Sequence, residues 1–265
     1  MFDRFQRKIT YLRVSVTDRC NLRCVYCMPE AGVAHKRRAD LLSYEEIEAV
    51  TRAAVELGVS KVRITGGEPL VRKGILSLVA RLAVIPGIAD FALTTNGVRL
   101  PRLASALREA GLHRVNISLD TLDPERFHAI TRCGRLDETL AGIEAARAAG
   151  FHSVKLNCVI DTTPDEPDAR AVADYGRQRG MEVRFIRRMN TGKGEFWPVI
   201  GGDGGRCGTC NRLRLSSDGR LYSCLFNDRS FSVRELGARG AILAAVDAKP
   251  AAGLRSDNQF YSLGG

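Results

Sequence analysis

The sequence is poor in the features that mark membrane, secreted and nucleic-acid-binding proteins. No apolar run approaches the roughly 20 residues that a helix needs to cross a bilayer. The first ten residues, MFDRFQRKIT, contain no continuous apolar stretch, so we expect no secretory signal and a cytoplasmic protein. Aromatic residues make up only 6% of the chain, and no block of Lys and Arg is interleaved with them. These absences argue against a membrane protein and against a dedicated nucleic-acid-binding domain.

The remaining composition is that of an ordinary globular protein with a basic surplus. The chain has 265 residues, of which 45% are hydrophobic and 26% charged, enough for one large domain or a large domain with a small appendage. The formal net charge is +10, and Arg far outnumbers Lys among the cations. Guanidinium groups pair bidentately with phosphates, so an anionic partner explains the surplus. Codon bias explains it equally well.

Strand-like and helix-like segments alternate before residue 190. The strand-like runs, rich in Val, Ile, Leu and Phe, are 11–16, 61–65, 91–95, 114–120, 153–160 and 182–187, and helical spacing occupies 43–57, 72–83, 101–110, 137–149 and 168–179. This alternation predicts an α/β fold with a parallel sheet and right-handed crossovers. Eight units would close a barrel, so six predict a partial (βα)6 TIM-like barrel, with a flat doubly wound sheet as the alternative. Either way, functional groups should follow the carboxyl ends of the strands.

The alternation of strand-like and helix-like segments ends near residue 190. We therefore predict a barrel over 1–190 and a linker with a smaller C-terminal region over 191–265. Residues 191–206 are rich in glycine and predict a flexible connector. Residues 212–225 predict a hairpin, because two alternating runs meet at Asp218-Gly219.

The cysteines form two clusters of three. Cys20, Cys24 and Cys27 directly follow the first strand, and three such thiolates can bind three irons of a [4Fe–4S] cluster while the fourth iron stays open. The alternative is a structural zinc that pairs Cys24 and Cys27 with Cys207 and Cys210. These pairs are far more widely separated than the usual pairs of a zinc ribbon.

Several motifs carry a resemblance to a known family. CNLRCVYC, with Tyr26 before its last Cys, resembles the signature of radical S-adenosylmethionine (SAM) enzymes, and the loop at 65–69, TGGEP, resembles the loop by which they contact the SAM amino group. Further motifs resemble the GTP 3′,8-cyclases of molybdenum-cofactor biosynthesis: TTNG (94–97), NISLDTL (116–122), VKLN (154–157), CGTCNRLRL (207–215), CLF (224–226) and the terminal Gly-Gly.

The resemblance implies two [4Fe–4S] clusters, SAM and GTP, each with its own residues. The first cluster would be held by Cys20, Cys24 and Cys27, and the second, whose open iron receives the guanine, by Cys207, Cys210 and Cys224. SAM would contact Tyr26, Gly67, Ser118 and Met189. GTP would contact Arg13, Arg63, Thr94, Lys155, Arg212, Leu213 and Arg214. The catalytic step would involve Arg212, Arg214, Gly264 and Gly265.

The implied activity is the conversion of GTP to (8S)-3′,8-cyclo-7,8-dihydroguanosine 5′-triphosphate by a 5′-deoxyadenosyl radical, the first step of molybdenum-cofactor biosynthesis. The implied partners are an unidentified electron donor, a downstream cyclic pyranopterin monophosphate synthase and a second copy in a homodimer, without membrane or nucleic acid. Two alternatives stay open, namely a peptide-modifying radical SAM enzyme with an auxiliary cluster and a degenerate paralogue that binds clusters without catalysis.

The chain departs from the family pattern between Met189 and Cys207, where the family carries several tens of residues more. Arg187 stands where an acidic residue is common, and Asn190 where proline is common. We expect the shortened segment to expose apolar sheet that a helix covers in the family. The two other cysteines, 133 and 158, match no ligand position and are expected to be small buried hydrophobic residues.

Overall fold

A computed structural model describes residues 1–151 and 153–264. Its strands are β1 (Tyr11–Ser15), β2 (Lys61–Thr65), β3 (Asp90–Thr95), β4 (Arg114–Ser118), β5 (Val154–Ile160), β6 (Glu182–Arg187), β7 (Arg212–Leu215), β8 (Arg220–Tyr222) and β9 (Ser230–Ser232). Its α-helices are α1 (Tyr44–Glu56), α2 (Ile75–Ala83), α3 (Leu100–Glu109), α4 (Pro124–Thr131), α5 (Leu136–Ala148), α6 (Pro167–Gln178), α7 (Val233–Asp247) and α8 (Phe260–Leu263). None of the helices described is long and apolar enough to cross a membrane.

One sheet contains all nine strands in the order β6-β5-β4-β3-β2-β1-β7-β8-β9. Strands β1 to β6 are parallel neighbours in sequence order, as right-handed βα units dictate. This arrangement confirms the predicted α/β fold with six units. The C-terminal hairpin joins the same sheet, because β7 pairs parallel with β1 while β8 and β9 follow antiparallel. The sheet stays open at β6.

Local sequence explains where the helices begin. A reciprocal capping box between Ser43 and Glu46 starts α1, as the Ser-x-x-Glu spacing indicates. Asp123 caps α4 by accepting a hydrogen bond from the backbone N–H of Arg126, with Pro124 in the first turn. The prediction overlooked α4 and also α7, whose helical pattern is interrupted by non-helical backbone at Gly237.

The two faces of the parallel sheet differ in polarity. Leu12 and Val14 of β1 are fully buried in the core beneath the helices. Alternate residues of a strand point to the opposite face, and there Arg13 of β1 stands in register with Arg63 of β2. We call this polar side the inner face. It carries the side chains from which the candidate site is built.

The glycine-rich segment 191–206 lies against the open edge of the sheet. Phe185 of β6 and Ile200 exchange two backbone hydrogen bonds of 3.0 Å, and Asn190 and Glu195 exchange two of 2.9 Å. The Val199 N–H also donates to the Gly204 carbonyl at 2.9 Å. The predicted connector is therefore tied to β6 at Ile200 and is folded elsewhere by hydrogen bonds outside the strand.

Candidate active site

Two adjoining cavities lie on the inner face. The first, of about 190 Å³, is lined by Cys20, Cys24 and Cys27, and the second, of about 180 Å³, by Cys207, Cys210 and Cys224. Asn157, Ile186 and Met189 line both cavities and so form their common boundary. Because each cysteine trio faces its own cavity, the structure contradicts the zinc alternative that would pair cysteines from the two trios.

The end of α4 holds the loop that carries the first trio. The backbone N–H of Val25 donates to the Ile130 carbonyl at 2.9 Å. The Arg132 guanidinium donates to the carbonyls of Arg23 and Met28, both at 2.9 Å. The missed helix is thus the support on which the cysteine loop is built.

The thiols of the first trio suit a cationic cluster. Burial, together with neighbouring negative groups, raises the pKa of Cys20 to about 11 and that of Cys27 to about 12. Burial likewise raises the pKa of Cys24, with Cys27 adding to the effect. Three buried thiolates need strong positive charge nearby, and an iron–sulfur cluster bound through three thiolates supplies it. The donor set therefore fits the predicted cluster.

The two remaining cysteines behave differently from each other. Cys158 is fully buried, as predicted. Cys133 is exposed, which makes the prediction of a buried residue wrong there. Its thiol lies beside the cysteine loop and donates to the Asn21 carbonyl at 3.5 Å. The exposure follows from its place in the tight turn between α4 and α5.

The glycines of the 65–69 loop permit a close approach between two loops. A Cβ on Gly67 would lie 2.3 Å from the carbonyl oxygen of Arg19, just before the first cluster cysteine. The Gly67 N–H donates to the Thr17 carbonyl at 2.7 Å. Gly67 lines the first cavity, as predicted for a SAM contact. It also packs the loop against the cysteine loop, a role that the sequence did not reveal.

Glu68 in the same loop anchors it from within. It is 2% exposed, and its carboxylate accepts hydrogen bonds from the N–H of Leu70 at 3.0 Å, the hydroxyl of Thr95 at 2.8 Å and the N–H of Asn96 at 2.7 Å. Burial raises the pKa of Glu68 to about 7, and these hydrogen bonds oppose that rise. The carboxylate of Glu68 thus accepts hydrogen bonds from three groups of the protein.

The other predicted SAM residues also line the first cavity. Ser118 is the last residue of β4, and Met189 lies just after β6. The Tyr26 hydroxyl donates to Asp120 at 2.6 Å, and the same carboxylate accepts the Val159 N–H at 2.8 Å. Burial, together with the charge of Asp120, raises the pKa of Tyr26. Asp120 is thus a buried orienting group that sequence reasoning missed, although it lies within the NISLDTL motif.

The second trio lies in a more positive environment. Burial opposes ionisation of Cys210, but the charges of Lys249 and Arg212 outweigh it and lower the pKa of the thiol to about 7. Lys249 is 1% exposed, and its ammonium donates to the carbonyls of Arg212 at 2.8 Å and Ser223 at 2.6 Å. Three cysteines facing one cavity with a lowered thiol pKa suit a second cluster. No motif in the sequence singles out Lys249, which lies in the Ala-rich tail.

Three arginines lie side by side on neighbouring strands at the inner face. In the sheet register, Arg13 of β1 pairs with Arg63 of β2 on one side and with Arg214 of β7 on the other. We call them the arginine row. Burial lowers the pKa of each to about 10, with neighbouring arginines adding to the effect. All three line the second cavity. Like charges directly opposite each other destabilise a sheet, so the row fits an anionic ligand.

The remaining predicted GTP residues occupy different places. Arg212 lines the second cavity, and Thr94 lines the first, with its hydroxyl buried and without a hydrogen-bond partner among the residues described. Leu213 is fully buried in the core and is not among the residues lining either cavity. Lys155 is ion-paired with Glu182 and is not among the residues lining either cavity.

The C-terminal tail reaches into the barrel. Gly264 has φ +70°, and a Cβ there would lie 2.4 Å from the Thr65 side chain. The Arg214 guanidinium donates to the Gly264 carbonyl, and Phe260 and Tyr261 line the first cavity. The tail therefore connects the arginine row with the first cavity. Gly265 lies outside the described residues.

The fold is that of radical SAM enzymes. The radical SAM superfamily matches residues 14–175. SuiB of Streptococcus suis bound to S-adenosylmethionine superposes with a TM-score of 0.60 at 17% identity, covering 91% of this chain and 64% of SuiB. The [FeFe]-hydrogenase maturase HydG of Carboxydothermus hydrogenoformans superposes with a TM-score of 0.55 at 18% identity, covering 70% and 46%. At such identities the likeness concerns the fold alone.

Curated relatives match over nearly the whole chain. The GTP 3′,8-cyclase of Heliobacterium modesticaldum is 45% identical, covering 94% of this chain and 93% of that protein. The GTP 3′,8-cyclase of Pelotomaculum thermopropionicum is 41% identical over 325 positions that span all of both chains. About 60 of those positions have no counterpart in these 265 residues, which agrees with the several tens of residues expected to be missing. The chain belongs to the GTP 3′,8-cyclase family of the radical SAM superfamily.

Proposed function

We propose that this protein converts GTP to (8S)-3′,8-cyclo-7,8-dihydroguanosine 5′-triphosphate, the first step of molybdenum-cofactor biosynthesis. The observation that carries the proposal is the arginine row, Arg13, Arg63 and Arg214, beside the second cysteine trio and next to a cavity that suits SAM. The cost of three buried cations side by side is offset when a triphosphate lies across them. Relatives named GTP 3′,8-cyclase support the same substrate.

The first cavity would hold a [4Fe–4S] cluster on Cys20, Cys24 and Cys27, and the second cavity another on Cys207, Cys210 and Cys224. When bound, the first cluster and SAM would supply the radical chemistry, with a 5′-deoxyadenosyl radical to remove a hydrogen atom from GTP. In this proposal residues 1–190 form the barrel around SAM, and residues 191–265 form the region around the second cluster and the substrate.

The chain's own residues bind and orient the reactants. Tyr26, Ser118, Met189 and the backbone of Gly67 border the space for SAM. The guanidinium groups of the arginine row and of Arg212 pair with the triphosphate, which fixes the nucleotide in the second cavity. The common boundary of Asn157, Ile186 and Met189 sets the separation between the two ligands. Thr94, whose buried hydroxyl needs a partner, would donate to the nucleotide across that boundary.

The tail excludes water from the site. Gly264 fits against Thr65 where any side chain would collide, and its carbonyl accepts a hydrogen bond from Arg214. Phe260 and Tyr261 then cover the first cavity. Gly264 thus brings the tail to the reaction without occupying the space of a ligand. The proposed catalytic role extends to Gly265, which lies outside the described residues. Lys155 would reach the substrate only by giving up its pairing with Glu182.

The proposal extends to setting and partners. We infer a cytoplasmic enzyme that draws electrons from a donor protein, passes its product to cyclic pyranopterin monophosphate synthase and works as a homodimer. Neither a membrane nor a nucleic acid takes part. These inferences rest on the family membership and on the reduced state that the free cysteines require.

The test is product analysis after anaerobic reconstitution with iron and sulfide. Incubation with SAM, GTP and a reductant should yield the cyclised nucleotide, and equilibrium dialysis should show GTP binding. Cys224→Ser should lower iron content and abolish product, whereas Cys133→Ser, which alters an exposed cysteine outside both trios, should do neither. A peptide-modifying enzyme would ignore GTP, and a degenerate paralogue would cleave SAM without forming product. Either result would overturn the proposal.

A further inference from the structure

An arginine and a tryptophan stack at the open edge of the barrel. Arg187, the last residue of β6, places its guanidinium carbon 3.9 Å from the ring centroid of Trp197. Its Nε donates to the Asp161 carbonyl at 3.1 Å, which holds the guanidinium in place. Trp197 is the only tryptophan of the chain. We call the two residues the edge stack.

The edge stack stands where the two cavities meet. Arg187 lines the first cavity and Trp197 lines the second, beside the common boundary that includes Ile186 and Met189. No further strand follows β6 in the described sheet, so this is the side on which the barrel is open. A structural neighbour of Trp197 is Gly205, on which a Cβ would lie 2.0 Å from the Trp197 carbonyl oxygen. Arg187 thus contacts the ring of Trp197, and Gly205 packs against its backbone carbonyl.

We propose that the edge stack is the side wall of the reaction chamber and positions the nucleotide by keeping that side closed to water. The chain is about 60 positions shorter than a relative that spans its whole length, and the short segment after β6 has to close the open edge by itself. A cation over an indole ring is the strongest pairing of this type, and it gains strength where water is excluded. The inference rests on the proposed function, because the wall matters only if a reactive intermediate needs protection.

The single tryptophan allows solvent exposure at the wall to be measured without enzyme turnover. Acrylamide quenching of Trp197 emission in the holoenzyme reports how far the ring is exposed to solvent. Arg187→Gln removes the cation and should raise the quenching constant severalfold, whereas Arg187→Lys keeps the charge and should restore most of the protection. Arg179→Gln is the matched control, because Arg179 stacks on Tyr175 at 3.8 Å on α6, outside both cavities. The quenching constant of the control should equal that of the wild type.

The chemical readout is the ratio of 5′-deoxyadenosine to cyclised product. Loss of one cation–π contact should raise this ratio by about fivefold in Arg187→Gln and in Trp197→Leu. Trp197→Phe, which retains a ring, should stay within about twofold of the wild type. The dissociation constant for GTP should change little, because the wall positions the nucleotide and the arginine row binds it.

Two results would overturn the inference. One is an Arg187→Gln quenching constant equal to that of the wild type, which would mean that the arginine does not shield the ring. The other is an unchanged product ratio in both disruptive variants, which would mean that the wall has no effect on the reaction. Failure of the proposed function is distinguishable, because the wild type would then bind no GTP in dialysis while the quenching measurement remains valid.

Discussion

Replacing one member of the arginine row should make the empty protein more stable and the nucleotide complex weaker. We choose Arg63→Met, which keeps the length and apolar stem of the side chain. Neighbouring strands lie about 4.8 Å apart, so two guanidinium groups at about 5 Å repel each other by about 3 kcal/mol at an effective dielectric constant near 20. Burial, the larger cause, and the neighbouring arginines together lower the pKa of Arg63 to about 10, a displacement from 12.5 that corresponds to about 3 kcal/mol.

Some of this gain is lost with other contacts of Arg63. Its guanidinium carbon lies 5.4 Å from the ring centroid of Tyr11, a contact that contributes about 0.5 to 1 kcal/mol. We expect a net stabilisation of about 1 to 2 kcal/mol, which for a domain of this size raises the thermal midpoint by about 2 to 6 °C. Hydrogen bonds to a charged ligand contribute about 1.5 to 3 kcal/mol, so the dissociation constant for GTP should rise by about tenfold to a hundredfold.

Anaerobic calorimetry without and with GTP, combined with equilibrium dialysis, measures both effects. Arg52→Met on α1 serves as the control, because Arg52 is exposed and, among the residues described, forms an ion pair only with Glu48 on the same helix. It should shift neither quantity beyond the scatter expected for an exposed pair. A lower midpoint for ligand-free Arg63→Met, or an unchanged affinity for GTP, would refute the electrostatic account of the row.

Three further perturbations test other parts of the structure. Burial opposes ionisation of Asp90, but its hydrogen bonds with Arg114 prevail and lower its pKa to about 2, below the unfolded value near 3.9, so its stabilisation is present above pH 4 and lost as the pH falls toward 2. In urea titrations Asp90→Asn should lower the free energy of unfolding by about 1 to 2 kcal/mol at pH 7, with the difference narrowing below about pH 5; a constant difference would contradict this. Gly264→Ala should release the tail and lower product formation, as measured by chromatography, without changing the iron content. Gly240→Ala on α7 is the control and should leave product formation unchanged. Lys249→Met leaves two buried carbonyls without their donor and should reduce iron content toward that of one cluster, so full iron loading would disprove its supporting role.

Strand periodicity and cysteine spacing predicted the architecture well, because both are local patterns. All six parallel strands lie within two residues of their predicted limits, and the hairpin turns at Asp218-Gly219 as expected. Helix α4 was not predicted, because its eight residues include only two buried side chains, Phe127 and Thr131. Such a short apolar stripe gives little periodic signal.

The site was harder to predict where tertiary contacts decide the chemistry. The cysteine trios were visible in the sequence, but the support of the cysteine loop by Arg132 depends on packing between distant segments. Lys249 acts on Cys210 across 39 positions of sequence, and no spacing rule predicts that pairing. The pairing of Lys155 with Glu182 likewise follows from the sheet register, which matches β5 with β6.

The parallel pairing of β1 with β7 has a consequence for biosynthesis. Tyr11 lies opposite Arg212. About 200 further residues must therefore be synthesised before β1 can pair with β7, one of its two neighbours. Until then one edge of β1 offers unpaired amide and carbonyl groups, the kind of edge that invites pairing with another nascent chain. Cys207, Cys210 and Cys224 flank the hairpin of β7 and β8, so the cavity that they line is complete only when that edge of β1 is filled.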